Sequence, residues 1–513
     1  MDDPAAAAPA EPAPPVPPPA LIPAPAPILE LELELRPEDA APLWRHAALG
    51  RARPRSAVAD CVWLDTAEGA LAARGEALEA PRKGLLRHLR VIPRAGFQPQ
   101  GLAPQLLGEH PAGWAPAGID QTLLPLAAFT GRRQDLTAGT VRLALRQGSL
   151  RCVAAEATVA RLALSGPPAD VLALAASLAA DLPLLPARVS LAETARALSR
   201  QEPPRPRRLG APDLGETATV EDALGLAIGH LTEVLLWQSG RIGVDAGPEG
   251  VHQSRVAIRR LRSCLKQFRP VADAPELRAL DAMLGDLARA MGTARDLDVF
   301  LRDLGRALRD AAGNDKRVAA LLGIAESRRR AAYAVLADQL ESPGFRALIW
   351  AACRACVLRE WVALPAEDAI GATAAPLRPF AAATLDRRLR QLRKRGAGIK
   401  SLDAEALHEL RLAGKRLRYA AELFAPLWPG KPAKRFLSRL AALQEALGLA
   451  NDTHVARDLA AGLGQPADGV PGRAGGWAVG LAEGFALARG AGARRDAIRA
   501  WRRLRKADSF WKH

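Results

Sequence analysis

The alternation of apolar and polar positions predicts two kinds of structure in this chain. Residues 28 to 36 read ILELELELR, a strict two-residue period that predicts a strand with Leu on one face and Glu30, Glu32 and Glu34 on the other. A helical run through PEDAAPLWRHAAL and a strand-like VADCVWLDT follow. From Thr217 onward the period becomes helical. In HQSRVAIRRLRSCLKQF, His252 to Phe268, the apolar Ile258, Leu261, Cys264, Leu265 and Phe268 lie opposite His252, Arg255, Arg259, Arg262 and Lys266. At about 100° per residue these five cations span a sector of roughly 80°.

The same pattern returns 156 residues later as HELRLAGKRLRYAAELF, His408 to Phe424. There His408, Arg411, Lys415 and Arg418 oppose Leu410, Leu417, Ala421 and Phe424. Each copy also carries a second basic residue beside its stripe, Arg260 or Arg416. At the same offset LARAMGTARDLDV maps onto LQEALGLANDTHV without a gap. Two motifs at one spacing indicate a duplicated unit.

A charged helix face is ordinarily a solvated face. Solvated faces usually alternate in sign, however, with acids four residues from bases. No acid interrupts the first stripe between His252 and Lys266, and only Glu409 and Glu422 intervene in the second. Like charges crowded on one face cost helix stability, so an anionic ligand is the alternative reading. Arg offers a planar fork to phosphate oxygens, Lys a point charge, and His a proton that an anion recruits.

Charge supports that reading. The 513 residues carry a formal net charge of +16, with a pI of about 10.4. This fits polyphosphate, nucleic acid or an acidic membrane surface as partner. Aromatic residues make up 4% of the chain, which argues against a stacking binder of single strands. No helix-turn-helix, zinc-finger or RNP-type signature is present, so nucleic acid is not the favoured partner. No apolar run is long enough to span a bilayer, and Asp2 and Asp3 do not suit a secretory signal. The five cysteines, Cys61, Cys152, Cys264, Cys353 and Cys356, do not form a disulfide framework, so a reducing, cytoplasmic setting is expected. The Cys353–Cys356 pair falls in a helical run and lacks a second ligand pair, so packing is its expected role.

Both halves resemble known families. VHQSRVAIRRLRSCLKQF, MGTARDLDV, LHELRLAGKRLRYAAELF and LQEALGLANDTHV match, in order, the motifs of the CHAD domain (conserved histidine α-helical domain). The resemblance covers roughly residues 216 to 510. It implies two pseudo-symmetric four-helix halves around a basic cavity that binds inorganic polyphosphate. It carries ligand roles to His252, Arg255, Arg259, Arg262, His408, Arg411, Lys415 and Arg418. Location on polyphosphate granules is a further expectation.

Residues 28 to 200 resemble the CYTH domain, a triphosphate tunnel fold, in ILELELELRPEDAAPLWRHAAL, WLDTAEGALAARGEAL, FTGRRQDL and DVLALAASLAADLP. An antiparallel barrel or tunnel with helices is therefore expected. The resemblance would place Mg or Mn on Glu30 and Glu32. Several tunnel positions depart from the family pattern. Glu79 and Pro81 stand where arginines belong, and Arg146 stands for an aspartate. Leu162 and Leu164 occupy a carboxylate strand, and SLAETA lacks the expected lysine and arginine. A triphosphatase needs both sets of charges, so this domain is read as degenerate, with no cofactor required. The alternative is a metal-dependent triphosphatase assisted by the helical domain.

The expected organisation is thus α+β. An Ala/Pro tail, residues 1–27, precedes a CYTH-like domain at 28–200 and a Pro/Arg linker at 201–215. The all-α domain occupies 216–513. Oligomeric state is not legible.

Overall fold

The computed structural model describes residues 28–91, 103–363, 374–465, 475–490 and 492–512, but not the side chains of residues 404, 450–454, 489 and 490. The Ala/Pro tail lies outside these residues. The N-terminal half is a curled, nine-stranded antiparallel sheet in the order β5-β4-β3-β2-β6-β7-β8-β1-β9. Its strands are β1 Leu29–Glu34, β2 Arg55–Asp65, β3 Glu76–Pro81, β4 Leu86–Arg90, β5 Gln105–His110, β6 Leu124–Ala138, β7 Val141–Arg151, β8 Glu156–Gly166 and β9 Leu185–Pro186. The strand expected from the Leu/Glu alternation is present as β1, paired with β8 and β9. The helix expected after it is broken into short turns at Pro37–Asp39, Ala40–Trp44 and Ala47–Leu49. Pro37 and Pro42 interrupt continuous hydrogen bonding there.

The curl has a local cause. Gly131 of β6 faces Gly148 of β7, and a Cβ on Gly131 would lie 2.3 Å from the Gln147 carbonyl oxygen and 2.7 Å from the Gly148 Cα. Only paired glycines permit strands to approach this closely.

Helix α1 (Pro168–Asp181) packs on the sheet, and α2 (Leu191–Arg200) buries Leu191, Ala192 and Ala195 in a cluster with Trp63, Phe129 and Leu150. Ser190 caps α2, its Oγ accepting the Glu193 N–H at 3.1 Å. The helical half then runs through α3 (Val220–Ser239), α4 (Glu249–Phe268), α5 (Pro275–Val299), a π turn at Phe300–Leu304, α6 (Gly305–Ala312), α7 (Lys316–Glu341) and α8 (Pro343–Leu358). The duplicate continues as α9 (Leu377–Arg395), α10 (Ala404–Phe424), α11 (Lys431–Leu463), α12 (Gly476–Gly490) and α13 (Ala493–Arg505). Among the described residues the first copy has six helices, α3 to α8, because the π turn divides α5 from α6, and the second has five, α9 to α13, against the four expected in each. The continuous helix expected from Arg302 to Leu340 is instead interrupted at Gly313, whose φ is 57°.

One apolar core joins the two halves. Leu29, Leu31 and Leu33 of β1 are buried in the same cluster as Leu235 of α3 and Ile349 of α8. Arg346 and Trp350 of α8 donate to the Ala179 and Leu184 carbonyls at 2.7 and 3.1 Å. The linker is fastened at both ends. Arg205 donates to Glu193 of α2 at 2.8 Å, and Arg208 lies 3.2 Å from Glu233 of α3. The Pro/Arg linker expected at 201–215 is thus docked through its arginines to the buried carboxylates of Glu193 and Glu233.

The five cysteines are free. Cys353 and Cys356 are buried on α8, where the Cys356 thiol donates to the Gly225 carbonyl at 3.3 Å and burial pushes the Cys353 thiol up to about 12. This is the packing role expected from the sequence. Among the described residues no helix is long and apolar enough to cross a membrane.

Candidate polyanion-binding site

The two basic helices, α4 and α10, touch through their apolar faces. Phe268 and Phe424, equivalent in the repeat, have ring centroids 6.0 Å apart, and Phe380 of α9 completes an aromatic cluster. The apolar stripes therefore fix both helices in the core and turn their cationic stripes outward.

Around α4 the structure brings together His252, Arg255, Arg259, Arg295 and Arg302. Arg255 is half-buried and donates through Nη1 to the Ala288 carbonyl of α5 at 2.6 Å, which holds its guanidinium in place. Arg295 projects from α5, and Arg302 from the π turn. Single π turns shift helix register and are frequent at functional sites. These groups depress one another. Burial first, and then Arg295, Arg259 and Arg302, lower the His252 pKa below its usual 6.5, with Glu249 partly opposing. Burial and Arg259 lower Arg255, and burial and Arg302 lower Arg295. Arg259 is exposed and forms no ion pair among the described residues. Asp296 is the opposing charge felt by Arg255. The side chain of Asp452, its counterpart in the repeat, lies outside the described residues.

Other sequence candidates are held differently. Arg262 donates to Asp281 at 2.7 Å, and Lys266 lies 3.8 Å from the same carboxylate. Arg260 points across to Glu422 of α10 at 3.9 Å, and Arg418 donates to that glutamate at 2.7 Å. In the second copy His408 is exposed, while Arg411 and Lys415 are partly buried and each has interactions of its own. Exposed Arg416 belongs to a second cluster. Burial, Arg387 and Arg416 lower the pKa of Arg388 on α9, and Arg388 also donates to Gln267 of α4 at 3.0 Å. The basic stretch from Leu385 to Lys400 thus adds cations beside the motif helices. Arg295 and Arg302 escape a motif-based reading, because Asn451 and Asp458 stand at their positions in the second copy.

Comparison with known proteins identifies the helical half. The CHAD domain family profile matches residues 229–461. A solved CHAD domain from the plant Ricinus communis is 31% identical, covering 59% of this chain and 96% of that one, with a TM-score of 0.49. The chain belongs to the CHAD domain family. PptA from Streptomyces chartreusis, 19% identical, covers 56% of this chain and 100% of its own, with a TM-score of 0.41. No curated protein matches the chain. The CHAD match spans α4, α5 and α10, the helices that carry the first cationic cluster and both repeated stripes.

In the N-terminal half, the curl is compatible with a CYTH-like tunnel. It encloses a cavity of about 720 Å³. Of the acids expected to hold a metal there, Glu30 is exposed at the cavity, while Glu32 is buried. Glu32 accepts the Leu191 N–H at 3.1 Å and lies 3.6 Å from Arg161. Burial raises its pKa, with Arg161 opposing. Glu34 is taken by Arg188 at 2.8 Å. Among the described residues no three His, Cys, Asp or Glu side chains form a metal-holding group. The donor set does not fit a divalent cation, which needs several convergent oxygens.

The cavity is nonetheless rich in arginine. Arg53, Arg55, Arg87, Arg133, Arg142, Arg146 and Arg161 all reach the cavity. Glu79, in the place of an expected arginine, binds two of them, Arg87 at 3.3 Å and Arg146 at 3.1 Å.

Proposed function

We propose that the CHAD domain binds inorganic polyphosphate along the cationic surface of α4 and α10, and that this binding carries the protein to polyphosphate granules. The observation that carries the reading is the crowding at His252, Arg255, Arg259, Arg295 and Arg302. Without a ligand, these groups depress one another's protonation. A chain of phosphates reverses that cost, because each negative oxygen favours the protonated forms. A linear polymer with a charge on every unit is the ligand that satisfies several such groups at once. The cluster at Arg387, Arg388 and Arg416 provides further positions along the same helices.

The reading is tested by titrating the full chain with long-chain polyphosphate and repeating the titration with Arg255→Ala plus Arg411→Ala. The expected result is a loss of affinity of roughly 100-fold or more, taking about tenfold per charged hydrogen-bonding partner removed. Unchanged affinity in a folded double variant refutes the groove assignment. Duplex DNA at matched charge concentration should compete poorly.

A further inference from the structure

The last helix of the chain carries a third cationic stripe, outside the repeated motifs. We propose that the outer face of α13 is a docking surface for duplex DNA, seated on the phosphates through its arginines. This face is separate from the groove of α4 and α10, and the proposal stands whether or not the groove takes polyphosphate.

Charge is the first support. Arg495, Arg499, Arg502, Arg503 and Lys506 fall within a sector of about 100°, and all five are exposed. The opposite side of α13, with Ala493, Ala497, Ala500, Trp501 and Leu504, is buried. The helix has a single acid, Asp496, and it is paired with Arg499. The other four cations form no ion pair among the described residues. Cations in the last turn, such as Arg502 and Arg503, have a local cause, because they complement the helix dipole. Arg495 stands in the first turn, where the dipole disfavours it. The same holds for exposed Lys431 and Lys434 at the start of α11, whose first turn has no acid. Arg439 of α11 donates to the Lys506 carbonyl at 3.2 Å, so exposed Arg435, one turn before it, extends the patch. Cations held at the unfavourable ends of two packed helices are explained by an anion outside the protein.

Position is the second and independent support. α8 and α13 are the last helices of the two copies, and each packs on the helix that follows its motif helix, α5 or α11. α8 is covered by α1 of the N-terminal half, to which Arg346 donates. α13 instead packs on α11 and on the end of α9, where a Cβ on Gly396 would lie 2.2 Å from the Trp501 ring, and its outer face is left open. It also lies beyond residues 229–461, the stretch that carries the family match. Shape then selects the polyanion. Half-buried cations fixed in a groove, such as Arg255, suit a thin phosphate thread. The α13 cations stand on a convex ridge about 16 Å long from Arg495 to Lys506. The major groove of B-DNA is wide enough to admit a helix, whereas that of an RNA duplex is too narrow. Phosphate oxygens match the arginine fork, and such contacts position a protein without a base-reading motif. An acidic membrane is disfavoured, because Trp501 and Leu504 are buried and leave no apolar anchor to enter it.

The test is fluorescence anisotropy of a labelled, mixed-sequence DNA duplex titrated with the full chain at a series of salt concentrations. The expected result is binding whose log K falls with log salt by roughly 0.9 per phosphate contacted. Arg495→Gln, Arg502→Gln, Arg503→Gln and Lys506→Gln combined should weaken duplex binding by roughly tenfold or more at low salt and flatten the slope by about 3 to 4. Calorimetric titration of the same variant should show its affinity for long-chain polyphosphate unchanged, and circular dichroism confirms that it is folded. Arg255→Ala plus Arg411→Ala should leave duplex binding as it is. No duplex binding at low salt, or duplex binding retained by the α13 variant, overturns the proposal. Duplex binding lost in the groove variant assigns the DNA to the groove and overturns it as well. An equal loss of polyphosphate affinity in the α13 variant makes the ridge part of the polyphosphate path. Tighter binding to an RNA duplex, or to phosphatidylglycerol vesicles, overturns the choice of partner.

Discussion

Arg259 and Arg262 lie three residues apart on one helix and carry the same charge, yet the structure assigns them opposite consequences. Arg259 is exposed, unpaired with any described acid, and depresses His252, Arg255 and Arg295. Arg262 is bound to Asp281 at 2.7 Å, both side chains being about one-third exposed or less. Arg259→Ala should therefore remove a ligand contact and relieve repulsion. The relief is about 0.2–0.5 kcal/mol, the scale of a like-charge pair on a helix surface. The lost phosphate contact is worth about 1.5–3 kcal/mol, which is roughly a 10- to 150-fold loss of polyphosphate affinity. Arg262→Ala should instead cost about 0.5–1 kcal/mol of stability, as a partly exposed salt bridge does. Its effect on affinity should be smaller, because Asp281 already holds the guanidinium. The assay pairs calorimetric titration with urea unfolding followed by circular dichroism. Arg259→Ala that lowers stability while leaving affinity intact would refute the assignment, as would a larger affinity loss in Arg262→Ala.

Further outcomes follow from the same structure. His252 has its pKa lowered below 6.5 in the free protein, so it is largely neutral at pH 7. A bound polyanion raises that pKa, so binding takes up protons and tightens as pH falls from the bound-state pKa toward the lower free-state one. Titration in buffers of different ionisation enthalpy measures the uptake, and His252→Ala should reduce it. Asp298 is buried and accepts from Arg329 at 2.7 Å and Tyr333 at 2.9 Å. Asp298→Ala leaves both without that acceptor and should cost about 3–5 kcal/mol, read as a lower urea midpoint. Gly131→Ala puts a Cβ 2.3 Å from a backbone oxygen, and should cost about 1–3 kcal/mol, with faster hydrogen exchange in β6 and β7.

How much of this the sequence reveals depends on whether a feature repeats or lies in contiguous residues. The duplication fixes α4 and α10 and their cationic faces, because both copies keep His, Arg and Phe at the same helical spacing. The Leu/Glu period likewise fixes β1. Arg295 and Arg302 are not legible in this way, since their counterparts, Asn451 and Asp458, are not basic and a π turn intervenes. The same holds for the sheet cavity. Arg53, Arg133, Arg142 and Arg161 come from separate segments, and only the strand order brings them together. Glu32 is on the face expected of a metal ligand, but proximity to Arg161 and the Leu191 N–H gives it other partners. The sequence also sets Arg260 and Arg416 in equivalent positions, whereas packing gives them Glu422 and Arg388 as neighbours.

The central claim is that the helical half is a polyphosphate receptor held together by charge. Titration of the full chain with long-chain polyphosphate at a series of salt concentrations tests it most directly. Counterion release from a single-stranded polyanion predicts a fall in log K with log salt of roughly 0.7 per phosphate neutralised. Contact with the five-residue cluster around His252 therefore predicts a slope of about −3 or steeper. A flat salt dependence, or no binding at low salt, would contradict the account.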